Sequence, residues 1–163
     1  MTKPAPDPGA FDLKAAMGDL PCTHSALRRA ARRLSNLYDD AIAPSGLKST
    51  QLSLLAHIEA LRDPALQDLA QAMALGVSSL TYALRPLVRD GLVVLTPAPQ
   101  DKRTKHAAVT ALGREKMAQG AALWSAANRR TDKVLGADAA LVLRTLADQV
   151  SSKAFLTAYE AAD

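Results

Sequence analysis

The stretch LAQAMALGVSSLTYALRPLVRDGLVVLTPAPQDKRTKHAAVTALG, residues 69–113, decides the fold. Around its start, apolar residues recur at helical spacing and predict two short helices joined by a tight turn at Gly76, which is typical of a helix-turn-helix. An apolar, β-branched segment then predicts a short strand, a second short strand candidate follows a polar, basic loop, and together they make a small hairpin. The predicted helices cover residues 66–73 and 77–91, and the predicted strands cover 92–97 and 106–110. This order of elements predicts a winged helix.

The second of these helices carries one set of candidate DNA contacts. Its apolar residues predict an inward face made of Leu80, Leu84, Leu87 and Val88. The other side offers hydroxyl groups and one arginine, which suit phosphates and base edges. These outward candidates are Ser78, Ser79, Thr81, Tyr82 and Arg85. We therefore expect the first turns of this helix to enter a major groove.

The loop between the strands is the second candidate contact. Lys102, Arg103 and Lys105 make it basic, and the negative potential of a narrow minor groove stabilises an inserted arginine. Asp101 is expected to orient the loop by accepting a hydrogen bond from Arg103 or from the hairpin backbone. Residues 76–116 carry seven basic and three acidic side chains, so this segment holds the whole net charge of +4. Such a local positive field suits a polyanion, although a solvated surface also carries charge.

Amphipathic helices flank the winged helix on both sides. The predicted N-terminal helix covers about residues 25–43, and a second helix follows Ser49 as a candidate cap. On the C-terminal side, Thr110 is expected to cap a long helix and Asp138 to cap one last helix. The N-terminal helix and the C-terminal helices do not belong to a minimal winged helix, so we expect them to pack against a second subunit. The predicted fold class is mainly α, a winged helix-turn-helix with a small β-hairpin wing and N- and C-terminal dimerisation helices.

Composition narrows the class of protein further. The single cysteine excludes an intrachain disulfide and indicates a reducing compartment. No apolar run is long enough to span a membrane, and residues 1–20 have the composition of a flexible lead, so we expect a cytoplasmic protein without membrane contact. The sequence has no phosphate loop, no dinucleotide-binding glycine motif and no nucleophile elbow, and its three histidines lack metal-ligand spacing. We therefore expect neither an enzyme nor a cofactor or metal site.

The spacing of several motifs in residues 69–113 resembles that of the MarR family of bacterial regulators. These motifs are Leu69-Ala70, Thr81, Leu84, Leu87, Gly91-Leu92-Val93, Asp101-x-Arg103 and Thr110-x-x-Gly113. The upstream stretch 27–55 is similar to the first two helices of the family. The resemblance implies a fourth helix that reads the major groove, a wing that contacts the minor groove, and a palindromic operator on double-stranded DNA.

The resemblance also implies an obligate homodimer. Its domains would be an N-terminal dimerisation helix at 21–45, a winged helix-turn-helix at 46–112, and C-terminal dimerisation helices at 113–163. Members of the family usually repress, and a small molecule, often phenolic, or the oxidation of a thiol releases them from DNA. The candidate effector or sensor residues here are Cys22, Arg28, Tyr38 and His57. A bystander role for Cys22 and a packing role for Tyr38 or His57 are the alternatives.

The resemblance breaks at Val77 and Tyr82, where relatives often carry arginine. The loss of two arginines removes phosphate or guanine contacts, so the operator sequence is left open. The sequence favours a transcriptional repressor that a small-molecule effector releases. The alternatives are an oxidant-sensing repressor that uses Cys22 and a winged-helix interaction module without DNA binding.

Overall fold

A computed structural model describes residues 22–98 and 104–162 of the chain. The chain divides into two units between Leu34 and Ser35, within the first helix. The helices are α1 (Thr23–Ile42), α2 (Ser49–Leu61), α3 (Leu66–Ala72), α4 (Val77–Arg89), α5 (Ala111–Leu135), α6 (Ala137–Val150) and α7 (Lys153–Glu160), and the strands are β1 (Val93–Pro97) and β2 (Lys105–Val109). The predicted fold class, mainly α with one hairpin after a helix-turn-helix, is confirmed.

One hydrophobic core joins α2, α3, α4 and the hairpin. Leu80, Leu84 and Leu87 are buried in it, as the helical spacing predicts. Val88 is exposed, so the prediction that it points inward is wrong. Consecutive helical residues are separated by about 100°, which places Val88 beyond Leu84, at the edge of the buried face that lies opposite Leu87.

The hairpin pairs β1 with β2 in antiparallel register, with Val93 opposite Val109. Both strands lie within one residue of their predicted bounds. The loop between α2 and α3 pairs with the outer edge of β2, which the sequence did not indicate. Ala65 forms an isolated bridge with His106, and the Ala107 N–H donates to the Pro64 carbonyl at 3.0 Å. The His106 ring nitrogen Nδ1 lies 2.8 Å from the Asp63 carbonyl. Strand β2 of the wing is therefore bound to the residues that precede α3.

A second junction fixes α4, β1 and α5 to one another. At the end of α4, Gly91 adopts φ +70°, and the Leu92 N–H donates to the Leu87 carbonyl at 2.8 Å, which is the hydrogen bond of a Schellman cap. Thr110 caps α5 as predicted, because its Oγ1 accepts from the Gly113 N–H at 3.0 Å. The same hydroxyl donates to the Gly91 carbonyl at 2.7 Å. The Thr110-x-x-Gly113 spacing thus joins two helix ends through one side chain.

Two predicted helix starts are wrong, and one predicted helix is two. Lys48 occupies the N-cap position of α2, where the sequence predicted Ser49. The hydroxyl and the N–H of Ser49 both donate to Asp39 Oδ1, at 2.5 and 2.6 Å. Helix α6 begins at Ala137 after Gly136, so Asp138 lies inside the first turn, where its charge stabilises the helix end without capping it. The last predicted helix breaks after Val150 because Ser152 accepts from the Phe155 N–H at 3.1 Å and starts α7.

Helices α6 and α7 expose large apolar side chains in the single chain. These are Leu141, Val142, Leu143, Leu146, Val150, Phe155, Leu156 and Tyr159. Large exposed apolar side chains that gather in a patch often mark an interaction site. Across residues 22–98 and 104–162, no helix combines the length and the apolar character needed to cross a membrane.

Candidate nucleic-acid interface

The outer face of α4 presents the five residues that the sequence predicted. Ser78, Ser79, Thr81, Tyr82 and Arg85 are all exposed, opposite the three buried leucines. They protrude because the helix is amphipathic and its apolar stripe is held in the core. The structure brings these side chains to one surface, and their contact with DNA stays a prediction.

Arg85 and Tyr82 form a stacked pair at the centre of this face. The Arg85 guanidinium lies 5.7 Å from the centroid of the Tyr82 ring, within the range of a cation–π contact. Residues three apart on a helix are neighbours, which explains why the two side chains meet. The Thr81 hydroxyl donates to the Val77 carbonyl at 2.8 Å, so toward a ligand it can only accept.

Arg89 lies one turn further along α4 and has a partner. Its Nε and Nη2 donate to the two carboxylate oxygens of Asp90 at 2.7 and 3.1 Å. The hydrogen bond from Arg89 lowers the pKa of the Asp90 carboxyl, and the same bond raises the pKa of Arg89. The guanidinium of Arg85 is therefore the one on α4 whose donors no carboxylate occupies among the described residues.

A groove beside α4 adds residues that the sequence did not single out. It encloses about 630 Å³, and the N-terminal end of α2 lines one wall with Lys48, Thr50 and Gln51. Tyr82 and Arg85 line the other wall. A polar segment with a lysine at the positive end of a helix suits a phosphate. The signal in the sequence was the polar run Lys48–Gln51 directly before the buried leucines of α2.

The wing contributes one described basic residue. Lys105 is exposed at the start of β2, opposite Pro97 on β1. Asp101, Lys102 and Arg103 lie outside the described residues, so their predicted roles stay predictions. The hairpin itself follows α4 along the chain, with residues 90–92 between α4 and β1.

Tyr38 and His57, two of the predicted effector residues, have different partners. The Tyr38 hydroxyl donates to Asn128 Oδ1 at 3.0 Å, and its ring lies 6.5 Å from that of Trp124 at a tilt of 58°. His57 is half-buried on α2, and its Nδ1 lies 2.8 Å from the Ser53 carbonyl. Among the described residues, no hydrogen bond or ring contact joins Tyr38 to His57. Tyr38 therefore contacts the Trp124 ring and the Asn128 side chain.

Cys22 and Arg28 belong to the N-terminal unit. Both are exposed. Hydrogen bonds from the side chain and backbone of Ser25 lower the pKa of the Cys22 thiol, and Arg29 acts in the same direction. A lower thiol pKa increases the fraction of the reactive thiolate at neutral pH. Over the described ranges, no group of three or more His, Cys, Asp or Glu side chains is placed to hold a metal ion.

Comparison with known proteins gives consistent matches. The model of the MarR family matches residues 45–104, which span α2 to the wing. A transcriptional regulator of M. tuberculosis, MosR, solved in complex with DNA, is 33% identical; the match covers 87% of this chain and 98% of that one, with a TM-score of 0.74. A comparison with curated proteins found no match.

Two more distant structures share the fold. A mutant of MarR from E. coli complexed with operator DNA is 23% identical, covers 86% of this chain and 99% of its own, and has a TM-score of 0.72. The transcriptional repressor CouR, bound to a 23-mer DNA duplex, is also 23% identical, with coverages of 88% and 100% and a TM-score of 0.73. In each case the similarity extends over nearly the whole of the other chain.

Proposed function

Because the chain belongs to the MarR family of transcriptional regulators, we propose that it binds a palindromic DNA operator as a homodimer and represses until a small-molecule effector releases it. The observation that carries the proposal is the exposed polar face of α4, with Arg85 and Tyr82 at its centre, beside a basic wing. A helix held by buried leucines and followed by a hairpin is the arrangement that inserts a helix in the major groove. As a DNA-binding regulator, it would act in the cytoplasm.

Several residues have roles in this proposal. Ser78, Ser79, Thr81, Tyr82 and Arg85 contact base edges and phosphates from α4, Lys48 and Thr50 contact a phosphate from α2, and the wing enters the adjacent minor groove. The solved complexes of similar proteins with DNA support DNA binding by this chain. The description of one of them as a repressor supports repression as the direction of control.

The exposed apolar surface of α6 and α7 supports the homodimer. Leu141, Leu146 and Leu156 are each more than half exposed in the single chain. Full burial of an exposed leucine side chain is favourable by about 1.5–3 kcal/mol. Covering these leucines with a second subunit would therefore stabilise a dimer relative to the separate chains. Dimerisation through these helices would also place two copies of α4 side by side, as a palindrome requires.

The effector is proposed to be small and aromatic, with Tyr38 as a contact. The support is the cluster of Tyr38, Trp124 and Asn128, which combines two aromatic rings with an amide able to hydrogen-bond a phenol. Trp124 is partly exposed, so a planar ligand has an open ring surface to stack on. Binding of phenolic acids to the protein, followed by tryptophan fluorescence, tests this part of the proposal.

Replacement of Arg103 with alanine is the direct test of DNA binding. We expect the affinity for an operator fragment to fall at least about tenfold, because a charge-assisted contact contributes about 1.5–3 kcal/mol. For the unaltered protein, Kd should rise steeply between 50 and 200 mM salt, since phosphate contacts release counterions. Fluorescence anisotropy with a labelled duplex measures both effects.

The matched control is Arg130→Ala. Arg130 is exposed on α5, roughly 28 Å along the helix from the end joined to the wing. Its replacement should leave DNA affinity unchanged within a factor of two. Equally weak affinity of the Arg103→Ala variant and the unaltered protein, without salt dependence, would instead support a winged-helix interaction module without DNA binding.

A second candidate function is an oxidant-sensing repressor that uses Cys22. The observation that favours it is an exposed thiol whose pKa is lowered by Ser25. We expect peroxide to release the unaltered protein from its operator and to leave the Cys22→Ser variant bound, as judged by gel shift. Ser25→Ala should slow alkylation of Cys22 by iodoacetamide at pH 7, because the thiol pKa rises when the hydroxyl bond is lost. Identical release of the unaltered protein and of Cys22→Ser would exclude this function.

A further inference from the structure

The exposed face of α4 has an unusual chemistry for a helix that reads bases. Its sequence, VSSLTYALRPLVR, contains no lysine, asparagine or glutamine. Arginine, asparagine and glutamine are the side chains that recognise purines by two hydrogen bonds. Of the two arginines in α4, Arg89 directs both arms of its guanidinium at Asp90, and it lies in the last turn. Purine recognition by α4 therefore depends on Arg85.

Tyr82 supplies the largest apolar surface on this face. Tyr82 is 72% exposed, although the same helix buries three leucines in the core. In the major groove the apolar group that distinguishes one base from the others is the C5 methyl of thymine. One face of the Tyr82 ring is next to the Arg85 guanidinium, so the other face and the ring edge are available to a base.

The spacing of the two residues matches neighbouring base pairs. Three residues along a helix rise about 4.5 Å, and successive base pairs along a duplex rise about 3.4 Å. A side chain at each position therefore reaches one of two adjacent pairs. The ring of Tyr82 also restricts the guanidinium of Arg85, which reduces the conformational entropy that Arg85 loses on binding.

On the basis of the proposed function, we infer that Tyr82 and Arg85 act as one unit that reads a thymine and a guanine in adjacent base pairs of each half-site. Tyr82 contacts the thymine C5 methyl. Arg85 donates two hydrogen bonds to O6 and N7 of the guanine while its guanidinium stays against the Tyr82 ring. The operator is thus specified by an aromatic contact together with a single arginine.

The test uses a duplex selected by the full-length protein from a randomised library. Single thymines are then replaced by deoxyuridine, which lacks the C5 methyl, and single guanines by 7-deazaguanine, which lacks N7. We expect deoxyuridine to weaken binding about fourfold at one thymine in each half-site, as for the loss of one buried methyl group. At the adjacent guanine, 7-deazaguanine should weaken binding about tenfold.

Three variants assign these effects to side chains. Tyr82→Ser should abolish the deoxyuridine effect and reduce the 7-deazaguanine effect, whereas Tyr82→Phe, which keeps the ring, should retain both. Arg89→Ala is the matched control on the same face, and it should change the affinity for all probes by one common factor. Because Tyr82 and Arg89 are exposed, these variants are expected to fold, which circular dichroism verifies.

Two results would overturn the inference while the proposed function stands. One is tight, salt-dependent binding that no deoxyuridine substitution weakens. The other is a Tyr82→Ser variant that keeps the deoxyuridine effect of the unaltered protein. Failure of the protein to bind any duplex in a salt-dependent manner would overturn the proposed function, and this inference with it.

Discussion

Replacing Gly113 with alanine is expected to lower the free energy of unfolding by at least about 3 kcal/mol, the upper range for an overpacked site. A Cβ at this position would lie 2.2 Å from the Leu92 carbonyl oxygen and 2.7 Å from Val109 Cγ1. The first of these atoms is backbone, and it accepts the Thr110 N–H at 3.0 Å. The added methyl group can be accommodated only if β1 moves away from the start of α5, which would break the junction at Thr110.

The measurement is chemical denaturation followed by circular dichroism, with both proteins at the same subunit concentration because association contributes to stability. Gly76→Ala is the matched control. Gly76 has an ordinary φ of −72°, and a Cβ there meets nothing within 4 Å. Its replacement should cost less than about 1 kcal/mol, the difference between glycine and alanine at a helix N-cap. Equal midpoints for Gly113→Ala and Gly76→Ala would show that the close approach of α5 to β1 is wrong.

Leu84→Ala is expected to lower the free energy of unfolding by about 2–5 kcal/mol. Leu84 is 1% exposed, lies midway along α4 between Leu80 and Leu87, and belongs to the core that supports this helix. Its truncation leaves a cavity directly beneath the outer face of α4, where Arg85 and Tyr82 project. Because the cavity loosens the support of that face, operator affinity should fall together with stability.

Thermal unfolding and DNA titration at a temperature where the variant stays folded separate the two effects. Leu61→Ala provides the comparison, since Leu61 is a leucine at the exposed end of α2. It should cost less than about 1.5 kcal/mol, because a surface leucine loses less buried area on truncation. A Leu84→Ala variant as stable as Leu61→Ala would contradict the placement of α4 on the core.

The features that periodicity encodes were predictable from the sequence. The buried leucines of α4 recur at three and four residues, β1 is β-branched and apolar, and a polar loop separates it from the second short segment. Thr110 was predictable as a cap because threonine is a preferred residue at the N-terminus of a helix, where its hydroxyl accepts a hydrogen bond from a backbone N–H of the first turn. These signals are local, so they specify the helix-turn-helix, the wing and the set of side chains on the outer face of α4.

Features that depend on distant residues were not predictable. Ser49 looked like a cap, but Asp39, ten residues earlier, binds its hydroxyl and leaves Lys48 in the capping position. The pairing of the 63–65 loop with β2 depends on contacts with His106, which is far from that loop in the sequence. The groove between α2 and α4 has the same origin, because Lys48 and Arg85 approach each other only in the folded chain.

The tether between the 63–65 loop and β2 has a mechanical consequence. Ala65 and Pro64 contact β2 along one edge. Just beyond the end of β2, the Thr110 hydroxyl donates to the carbonyl of Gly91, two residues after α4. Strand β2 is thus held both to the 63–65 loop and to the chain just after α4, so we expect the hairpin and α4 to keep a constant span. A duplex whose grooves depart from that span must itself twist or bend to fit. Discrimination between operators would then include the stiffness of base steps that no side chain touches.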